Sequence, residues 1–342
     1  MRISVIIVTY NGQVYIDKLF QSLLKAITPR LDVEIIVIDN GSTDNTLKFI
    51  EKYKETLGDK MKIIKLRKNL GFAGGNNAGL LFSSGDIAFL LNQDTYLDEK
   101  ALATIHELFS KHPDIGVAQC LLLQYRYPNL LDSCGDLVSS AGFGIIGCWG
   151  AKRSELNLKE VKEIQLARGA ALAVRKSILE VSKKIHGTYI PTYFVAGGYE
   201  DWFISFFARL LNYKVVLEPS CIVYHDSITP RKHNPHIIFN ALSFFTEMKA
   251  PVKMYLGRVF FSIAFDLLLS KNRKNDTRAL LTSSKAFILS VRKNISLRLY
   301  ITSIAKLNRT TITNFWKKRE KAGIWLRWYL FYQNTSKYLH KK

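Results

Sequence analysis

The chain has 342 residues, of which 48% are hydrophobic, and its formal net charge is +21. This apolar content supplies a large core and excludes intrinsically disordered, collagen-like and low-complexity proteins. The charge is uneven, because residues 1–250 hold 29 basic and 25 acidic residues, whereas residues 251–342 hold 20 basic and 3 acidic ones. We therefore expect the last quarter of the chain to face an anionic partner, namely a membrane leaflet, a nucleic acid or an anionic lipid-linked substrate.

The predicted elements alternate along the first half of the chain. Apolar, β-branched runs at 3–8 and 33–38 predict strands buried on both faces, and a helix with apolar 3.6-residue spacing lies between them at 16–26. There follow a helix at 43–57, a strand at 62–66, a Gly/Asn-rich turn at 69–79 that leads into a helix, a strand at 87–91, a helix at 99–111 and a strand at 115–123. This alternation predicts an α/β fold with a mainly parallel, doubly wound sheet.

The second half is less regular. Five glycines in segment 124–165 indicate mobile loops. The pattern then predicts a strand at 169–174, helices at 176–184 and 200–211, a strand at 213–217, and only helices from about 236 onward.

The four cysteines stand at positions 120, 134, 148 and 221, with no CxxC pair and no histidine at metal-ligand spacing. We therefore expect neither a zinc site nor disulfides, and scattered reduced thiols are typical of the cytosol. The run Ile3–Val8 is followed at once by polar residues, so it indicates a strand and not a signal segment. The most apolar helical stretch, 254–269, contains Arg258 and Asp266, and we expect no membrane-spanning helix.

Polar residues follow three of the predicted strands, in the segments 9–12, 39–44 and 92–94. In an open parallel sheet, ligands bind at the carboxyl ends of the strands. Asp39 is placed to accept a hydrogen bond from a base or a ribose hydroxyl, and Asp94 to hold a divalent metal that bridges phosphates. The alternative for Asp39 or Asp44 is that the carboxylate only caps the following helix.

The glycine-rich segment 69–79 opens a helix. Glycines allow close approach of the backbone, and a helix N-terminus favours phosphate. The segment matches neither the P-loop nor the G-x-G-x-x-G fingerprint, so alone it is a weak indication of nucleotide binding.

Six segments together resemble an inverting family 2 glycosyltransferase of the GT-A fold, and most of all the bacterial rhamnosyltransferase-like branch that builds cell-surface polysaccharide. They are VTYNG (8–12), IDNGSTDNT (38–46), NLGFAGGNNAG (69–79), LLNQDT (90–95), GAALAVRKS (169–177) and GGYEDWF (197–203). The resemblance covers residues 3–230 in family order and spacing. It implies transfer of a rhamnose-like sugar from a dTDP- or UDP-sugar to a lipid-linked saccharide.

The resemblance also implies roles for individual residues. It assigns the nucleotide sugar to Thr9, Asn11, Asp39, Asn69, Gly75, Asn76 and Asp94. Asp94 is the remaining carboxylate of a D-x-D-like motif whose first position is Asn92, and with His225 it would bind Mg²⁺ or Mn²⁺. The alternative for His225 is a surface histidine without a ligand role.

The adjacent carboxylates Glu200 and Asp201 match an acidic pair at the start of a helix on the acceptor side. Inverting transfer needs one base that takes the proton of the attacking hydroxyl. We assign that role to Asp201, and to Glu200 the role of orienting it or contacting the acceptor. Alternatively, both are ordinary carboxylates favoured by the helix dipole.

This chain departs from the family at three positions after the acidic pair. Phe203 stands where the family has Asp, Phe207 where it has Arg, and Asn212 where it has Gly. These departures motivate an alternative function, that of a catalytically weak sugar-nucleotide-binding subunit in a polysaccharide assembly complex.

The sequence divides into a GT-A domain at 1–235 and a basic helical region at 236–342. Lys271, Arg278, Lys285 and Arg292 recur every seven residues, and aromatic residues lie among the terminal lysines and arginines. Basic amphipathic helices of this kind bind anionic membranes, so we expect a cytoplasmic protein held on the membrane surface. No nucleic-acid motif accompanies the charge, and we expect no nucleic-acid partner. A solvated basic cap is the remaining alternative.

Overall fold

The computed structural model describes residues 1–138, 144–192 and 199–226. The predicted domain boundary after residue 235 and the predicted basic helices of 236–342 lie outside these ranges. Within them, no helix combines the length and apolar character needed to cross a bilayer.

The first half of the described chain alternates strands and helices as predicted. Its elements are β1 (Ile3–Thr9), α1 (Gln13–Ala26), β2 (Val33–Asp39), α2 (Thr46–Leu57), β3 (Met61–Lys65), α3 (Gly71–Phe82), β4 (Ile87–Asn92), β5 (Thr95–Leu97), α4 (Ala101–Lys111) and β6 (Ile115–Gln124). The second half contains β7 (Leu131–Ser133), β8 (Asp136–Val138), β9 (Gly144–Ile146), β10 (Lys162–Glu163), β11 (Ala171–Arg175), α5 (Lys176–His186), α6 (Glu200–Leu210) and β12 (Lys214–His225). β12 extends eight residues beyond the predicted strand end at 217, and His225 is its last residue.

The central sheet has the order β10-β12-β6-β11-β4-β1-β2-β3. β1 is parallel to β2 and β4, β3 is parallel to β2, and β12 is parallel to β6. β11, however, runs antiparallel to both β4 and β6, so the sheet is mixed and the prediction of a mainly parallel sheet is wrong at its centre. A strand buried on both faces shows the same continuous apolar run in either direction, which is why the pattern did not reveal this reversal.

Helices cover both faces of the sheet. α1, α2 and α4 bury Phe20, Ile50 and Phe109 against one face. α3, α5 and α6 bury Leu80, Ile178 and Phe207 against the other. The doubly wound arrangement is therefore confirmed, and it explains the continuous apolar runs of the central strands.

Helix α3 begins at Gly71, so most of the segment predicted as a turn at 69–79 is helical. A Cβ on Gly75 would lie 2.5 Å from Val8 Cγ1, and one on Gly79 2.5 Å from Ile6 Cγ2. These distances are far below van der Waals contact. These two glycines therefore let α3 pack close to β1, whereas the sequence indicated a turn that leads into a helix.

Segment 124–165, predicted as mobile loops, contains the short strands β7, β8, β9 and β10 among its described residues. β7 pairs with β6, and β8 pairs with β9. Disulfides join Cys134 to Cys148 and Cys120 to Cys221. The expectation of scattered reduced thiols is therefore wrong for this structure, because the spacing of cysteines along a chain does not tell which sulfurs the fold brings together.

Candidate active site

The carboxyl ends of β1 and β2 bring two predicted nucleotide-binding residues side by side. Thr9 and Asp39 are register partners in the parallel pair, and both are buried. Thr9 Oγ1 donates a hydrogen bond to Gln93 Oε1 at 2.7 Å, and Asp39 Oδ1 accepts one from the Ser42 amide at 3.1 Å. Both side chains are thus held at the edge of the sheet where ligands bind in α/β folds.

Asn11 and Asn69 brace the loops around this edge. Asn11 Oδ1 accepts a hydrogen bond from the Thr43 amide at 2.8 Å, which ties the loop after β1 to the loop after β2. Asn69 Oδ1 accepts from Asn40 Nδ2 at 3.0 Å and from the Gly71 amide at 2.8 Å. The structure therefore gathers Thr9, Asn11, Asp39 and Asn69 in one place, and their contact with a nucleotide sugar stays a prediction.

Gly75 and Asn76 lie deeper in α3. Gly75 packs on Val8, and the buried Asn76 donates from Nδ2 to the Phe72 carbonyl at 3.0 Å within its own helix. The structure thus gives both residues a packing role. Asp44 fits the capping alternative, because its Oδ1 accepts a hydrogen bond from the Thr46 amide at 3.0 Å at the start of α2.

Asp94 and His225, far apart in sequence, meet where β5 pairs with the end of β12. Thr95 is the register partner of His225, and the Asp226 amide donates to the Asp94 carbonyl at 2.9 Å. His225 Nε2 lies 3.5 Å from Asp94 Oδ1, and Nδ1 lies 2.9 Å from Asp132 Oδ2. Burial alone would lower the pKa of His225, but the contacts with Asp132 and Asp94 outweigh it and raise the pKa to about 9.

This arrangement fits a divalent cation in one respect. A metal-binding histidine usually bonds a carboxylate through its second nitrogen, and Asp132 occupies that place on His225. The opposite nitrogen then faces Asp94, whose hard oxygens suit Mg²⁺ or Mn²⁺. In the described ranges no group of three or more His, Cys, Asp or Glu side chains is arranged around a metal position. Asp94, together with His225 once the metal has displaced the proton on its Nε2, would hold a metal along with phosphate oxygens of the substrate.

The antiparallel direction of β11 brings the acidic pair to the same edge. The Asn92 amide at the end of β4 donates to the Ala170 carbonyl at 3.0 Å, so the segment before β11 lies beside the end of β4. The Gly169 amide in that segment donates to Asp201 Oδ2 at 2.8 Å, and the Trp202 amide donates to Asp201 Oδ1 at 2.9 Å. Asp201 is half-buried in the first turn of α6, whereas Glu200 is 2% exposed.

The environment of Asp201 suits a base. Burial, followed by the negative charge of Asp136, raises the pKa of Asp201 to about 6, although the Gly169 amide, Arg168 and the Trp202 amide act in the opposite direction. A carboxylate with this pKa is deprotonated at neutral pH and binds a proton more readily than an ordinary aspartate.

The aromatic residues that follow the acidic pair belong to the core. Phe203 and Phe207 are buried and stacked on each other with ring centroids 5.4 Å apart. The ring of His186 on α5 meets Phe203 edge-on at 5.2 Å. Trp202 is buried, and its Nε1 donates to Asp136 Oδ2 at 3.1 Å. Two of the three family departures, Phe203 and Phe207, thus lie at the contact between α5 and α6.

Sequence reasoning missed five residues that organise this edge. Asn40 belongs to the motif IDNGSTDNT and directly follows β2, and Gln93 belongs to LLNQDT and directly follows β4. Their positions at strand ends could have marked them as residues of this edge. The other three, Asp132, Asp136 and Arg168, come from the segment read as mobile loops and from the chain just before β11. No local pattern marks them, because their partners are distant in sequence.

Part of the chain is similar to a known protein family. Residues 4–128 match the model of glycosyl transferase family 2. This range contains every residue assigned above to the nucleotide sugar. It ends before Asp132 and Asp136 and well before the acidic pair Glu200 and Asp201.

The relatives with sequence similarity include two staphylococcal proteins. The poly(ribitol-phosphate) beta-N-acetylglucosaminyltransferase TarS of Staphylococcus aureus is 34% identical over 113 residues, which is 33% of this chain and 19% of TarS. The poly-beta-1,6-N-acetyl-D-glucosamine synthase of Staphylococcus epidermidis is 27% identical over 222 residues, which is 65% of this chain and 49% of that protein. The chain thus spans half or less of the length of these relatives.

Solved structures establish the fold. TarS residues 1–349 in complex with UDP-GlcNAc superpose with a TM-score of 0.56 and 19% identity, over 94% of this chain and 91% of that one. The mannosyltransferase PcManGT of Pyrobaculum calidifontis, in complex with GDP-Man and Mn²⁺, gives a TM-score of 0.50 and 18% identity, over 95% of this chain and 87% of that one. The predicted GT-A fold is confirmed, and residues 4–128 match the family 2 model. Membership of the whole chain in family 2 and in the rhamnosyltransferase-like branch stays a prediction.

Proposed function

We propose that the protein is an inverting glycosyltransferase that moves a sugar from a UDP- or dTDP-sugar to a lipid-linked saccharide acceptor in cell-surface polysaccharide synthesis. The observation that carries the proposal is that Asp94 lies against His225 where β5 pairs with β12, while Asp201 is bonded to Gly169 in the segment that lies beside the end of β4. The relatives named above support the polymer-related role, because one is named as a transferase acting on poly(ribitol phosphate) and the other as a synthase of poly-beta-1,6-N-acetyl-D-glucosamine.

In the proposed reaction, an acceptor hydroxyl oxygen attacks the anomeric carbon on the face opposite the nucleotide. The new carbon–oxygen bond forms as the bond from that carbon to the phosphate oxygen breaks, and Asp201 takes the hydroxyl proton. Glu200 orients Asp201 from the preceding position. A divalent cation, when bound at Asp94 and His225, would neutralise charge on the leaving nucleotide diphosphate.

The donor sugar is the part of the proposal that needs a direct comparison. The resemblance of the motifs favours a rhamnose-like sugar, whereas both relatives carry N-acetylglucosamine in their names. Thermal unfolding of the full chain is measured with UDP-GlcNAc, UDP-glucose and dTDP-rhamnose, each with and without Mn²⁺. We expect one donor to raise the melting temperature, and more so with Mn²⁺, since a ligand that binds only the folded state stabilises it.

Turnover is then measured with the donor that binds, using poly(ribitol phosphate) and lipid-linked saccharides as acceptors. Release of nucleotide together with a glycosylated product supports the transferase. Donor binding without turnover on any acceptor supports the alternative, a sugar-nucleotide-binding subunit, for which the replacement of charged family residues by Phe203 and Phe207 is the motivation. Failure of every nucleotide sugar to bind contradicts both.

The location is also a proposal. We infer that the protein lies on the cytoplasmic face of the membrane, where its basic C-terminal quarter meets anionic lipid and its acceptor is anchored. The support is the composition of residues 251–342, which contain 20 basic and only 3 acidic residues.

A further inference from the structure

Arg168 lies between two carboxylates that no motif identified. Its side chain is 11% exposed, with Nε 3.9 Å from Asp132 Oδ2 and Nη1 3.7 Å from Asp136 Oδ1. Both carboxylates are buried. Buried charges are costly unless they are paired, so each of the three groups depends on the others.

Each carboxylate also contacts a residue of the candidate active site. Asp132 Oδ2 is 2.9 Å from His225 Nδ1, on the side of the predicted metal pair. Asp136 Oδ2 accepts a hydrogen bond from Trp202 Nε1 at 3.1 Å, directly beside Asp201. Arg168 is therefore one contact away from His225 in one direction and from Trp202 in the other.

The backbone around Arg168 reinforces these contacts. The Arg168 amide donates to Gln119 Oε1 of β6 at 2.7 Å, which fixes the segment before β11 to the sheet. The next amide, that of Gly169, donates to Asp201 Oδ2 at 2.8 Å. The same short segment thus bonds Asp201 directly and holds the arginine that pairs with Asp132 and Asp136.

We propose that Arg168 is a positioning residue that, through its pairs with Asp132 and Asp136, holds His225 on the donor side and Asp201 on the acceptor side in one fixed arrangement. The proposal rests on the proposed function, since it concerns the base and the metal ligand of that reaction. In the geometry, the guanidinium links the carboxylate that contacts His225 at the end of β12 with the carboxylate that contacts Trp202 at the start of α6.

Electrostatics gives this arrangement a measurable signature. Two charged side chains from elements packed against Asp201 act on it, Asp136 on β8 and Arg168 before β11, and Glu200 precedes it on the same helix. Asp136 raises the pKa of Asp201, whereas Arg168 lowers it. Loss of the positive charge at Arg168 and loss of the negative charge at Asp136 must therefore act on Asp201 in opposite directions, which a purely structural defect would not do.

The experiment uses full-length protein with Arg168→Gln, Arg168→Lys or Asp136→Asn, and the exposed Arg153→Gln as the matched control. The pKa of Asp201 is measured by ¹³C NMR of labelled aspartate carboxyls, assigned by the signal that Asp201→Asn removes. The pH profile of UDP release from UDP-GlcNAc is recorded in parallel, and circular dichroism establishes that each variant is folded.

We expect the acid limb of the profile, and the Asp201 carboxyl titration, to move up by about one pH unit in Arg168→Gln and down by about as much in Asp136→Asn. Arg168→Lys keeps the charge but loses the fork that reaches both carboxylates. Its acid limb should stay near that of the native protein while its maximal rate falls about tenfold or more. Arg153→Gln should change neither quantity.

The outcomes separate this inference from the function on which it rests. Opposite shifts in the carboxyl titration support the arrangement even if UDP-GlcNAc is not turned over. Lack of turnover counts against this donor or against the proposed function, and not against the arrangement. Turnover by the native protein without a shift in Arg168→Gln or Asp136→Asn, or shifts in the same direction, overturns the inference. If Arg168→Gln does not fold, Asp136→Asn decides: a downward shift of the Asp201 carboxyl titration supports the inference, and an unchanged or upward-shifted titration overturns it.

Discussion

Asp201 shows how the environment of one side chain defines a candidate base. It accepts two backbone hydrogen bonds, which favour its charged form, yet burial and Asp136 still raise its pKa to about 6. The sequence identified the residue through its place in an acidic pair. It did not show which distant residues lie beside Asp201 and set its pKa.

Replacing Asp201 by Asn should lower kcat by about 10²–10⁴-fold, because an amide cannot accept the hydroxyl proton. In the native protein the rate should rise with pH up to about 6 and stay level above, since only the deprotonated carboxylate acts as a base. Initial rates from pH 4.5 to 8 test both statements. Glu99→Gln, an exposed carboxylate remote from the acidic pair, is the control. Near-native turnover by Asp201→Asn contradicts the assignment.

His225 is the second residue whose role rests on its neighbours. His225→Gln should weaken binding of Mn²⁺ in the presence of UDP by about tenfold or more, because it removes a nitrogen ligand oriented by Asp132. Electron paramagnetic resonance of free Mn²⁺ measures this affinity without any turnover. The exposed His112→Gln should bind as the native protein does. Equal affinity in all three proteins would show that His225 has no ligand role.

At the scale of elements, α3 illustrates how composition can mislead. Four glycines in the segment 71–79 indicated a turn that leads into a helix, but the helix already begins at Gly71, and its close contact with β1 depends on Gly75 and Gly79. Glycine lowers helix propensity, so local preference and tertiary packing disagree here, and packing prevails. The result is a helix N-terminus held beside the loops that carry Asp39 and Asn69.

Gly79→Val should therefore destabilise the fold by about 1–3 kcal/mol, since its Cβ would overlap Ile6. Urea unfolding followed by circular dichroism measures the change. Leu81→Ala on the same helix, where the side chain is 60% exposed, should change the free energy of unfolding by less than about 0.5 kcal/mol. A Gly79→Val variant as stable as the native chain would show that α3 can move away from β1 at little cost.

At the scale of the whole molecule, the uneven charge gives the remaining prediction. Changing Lys271, Arg278, Lys285 and Arg292 together to Gln removes four charges of the basic quarter. At about 1 kcal/mol for each basic residue near an anionic leaflet, binding to phosphatidylserine vesicles should weaken by up to about a thousandfold. Cosedimentation at two salt concentrations measures it.

The control for this experiment removes the same charge elsewhere. Lys48, Lys52, Lys60 and Lys159 are exposed in the described domain, and their change to Gln should leave vesicle binding nearly unchanged. If the two quadruple variants lose affinity equally, the effect is one of net charge and the C-terminal quarter has no special part in it. Unchanged binding in both removes the membrane proposal.

The sequence by itself determined the features that depend on local order along the chain. Apolar runs marked the central strands, helical spacing marked the helices that cover them, and polar residues at strand ends marked Thr9, Asp39 and Asp94. Only the tertiary structure decided the direction of β11, the pairing of the cysteines, and the partners of His225, Asp201 and Arg168. The physical reason is that periodicity records which side of an element is buried, whereas these features depend on contacts between segments distant in sequence.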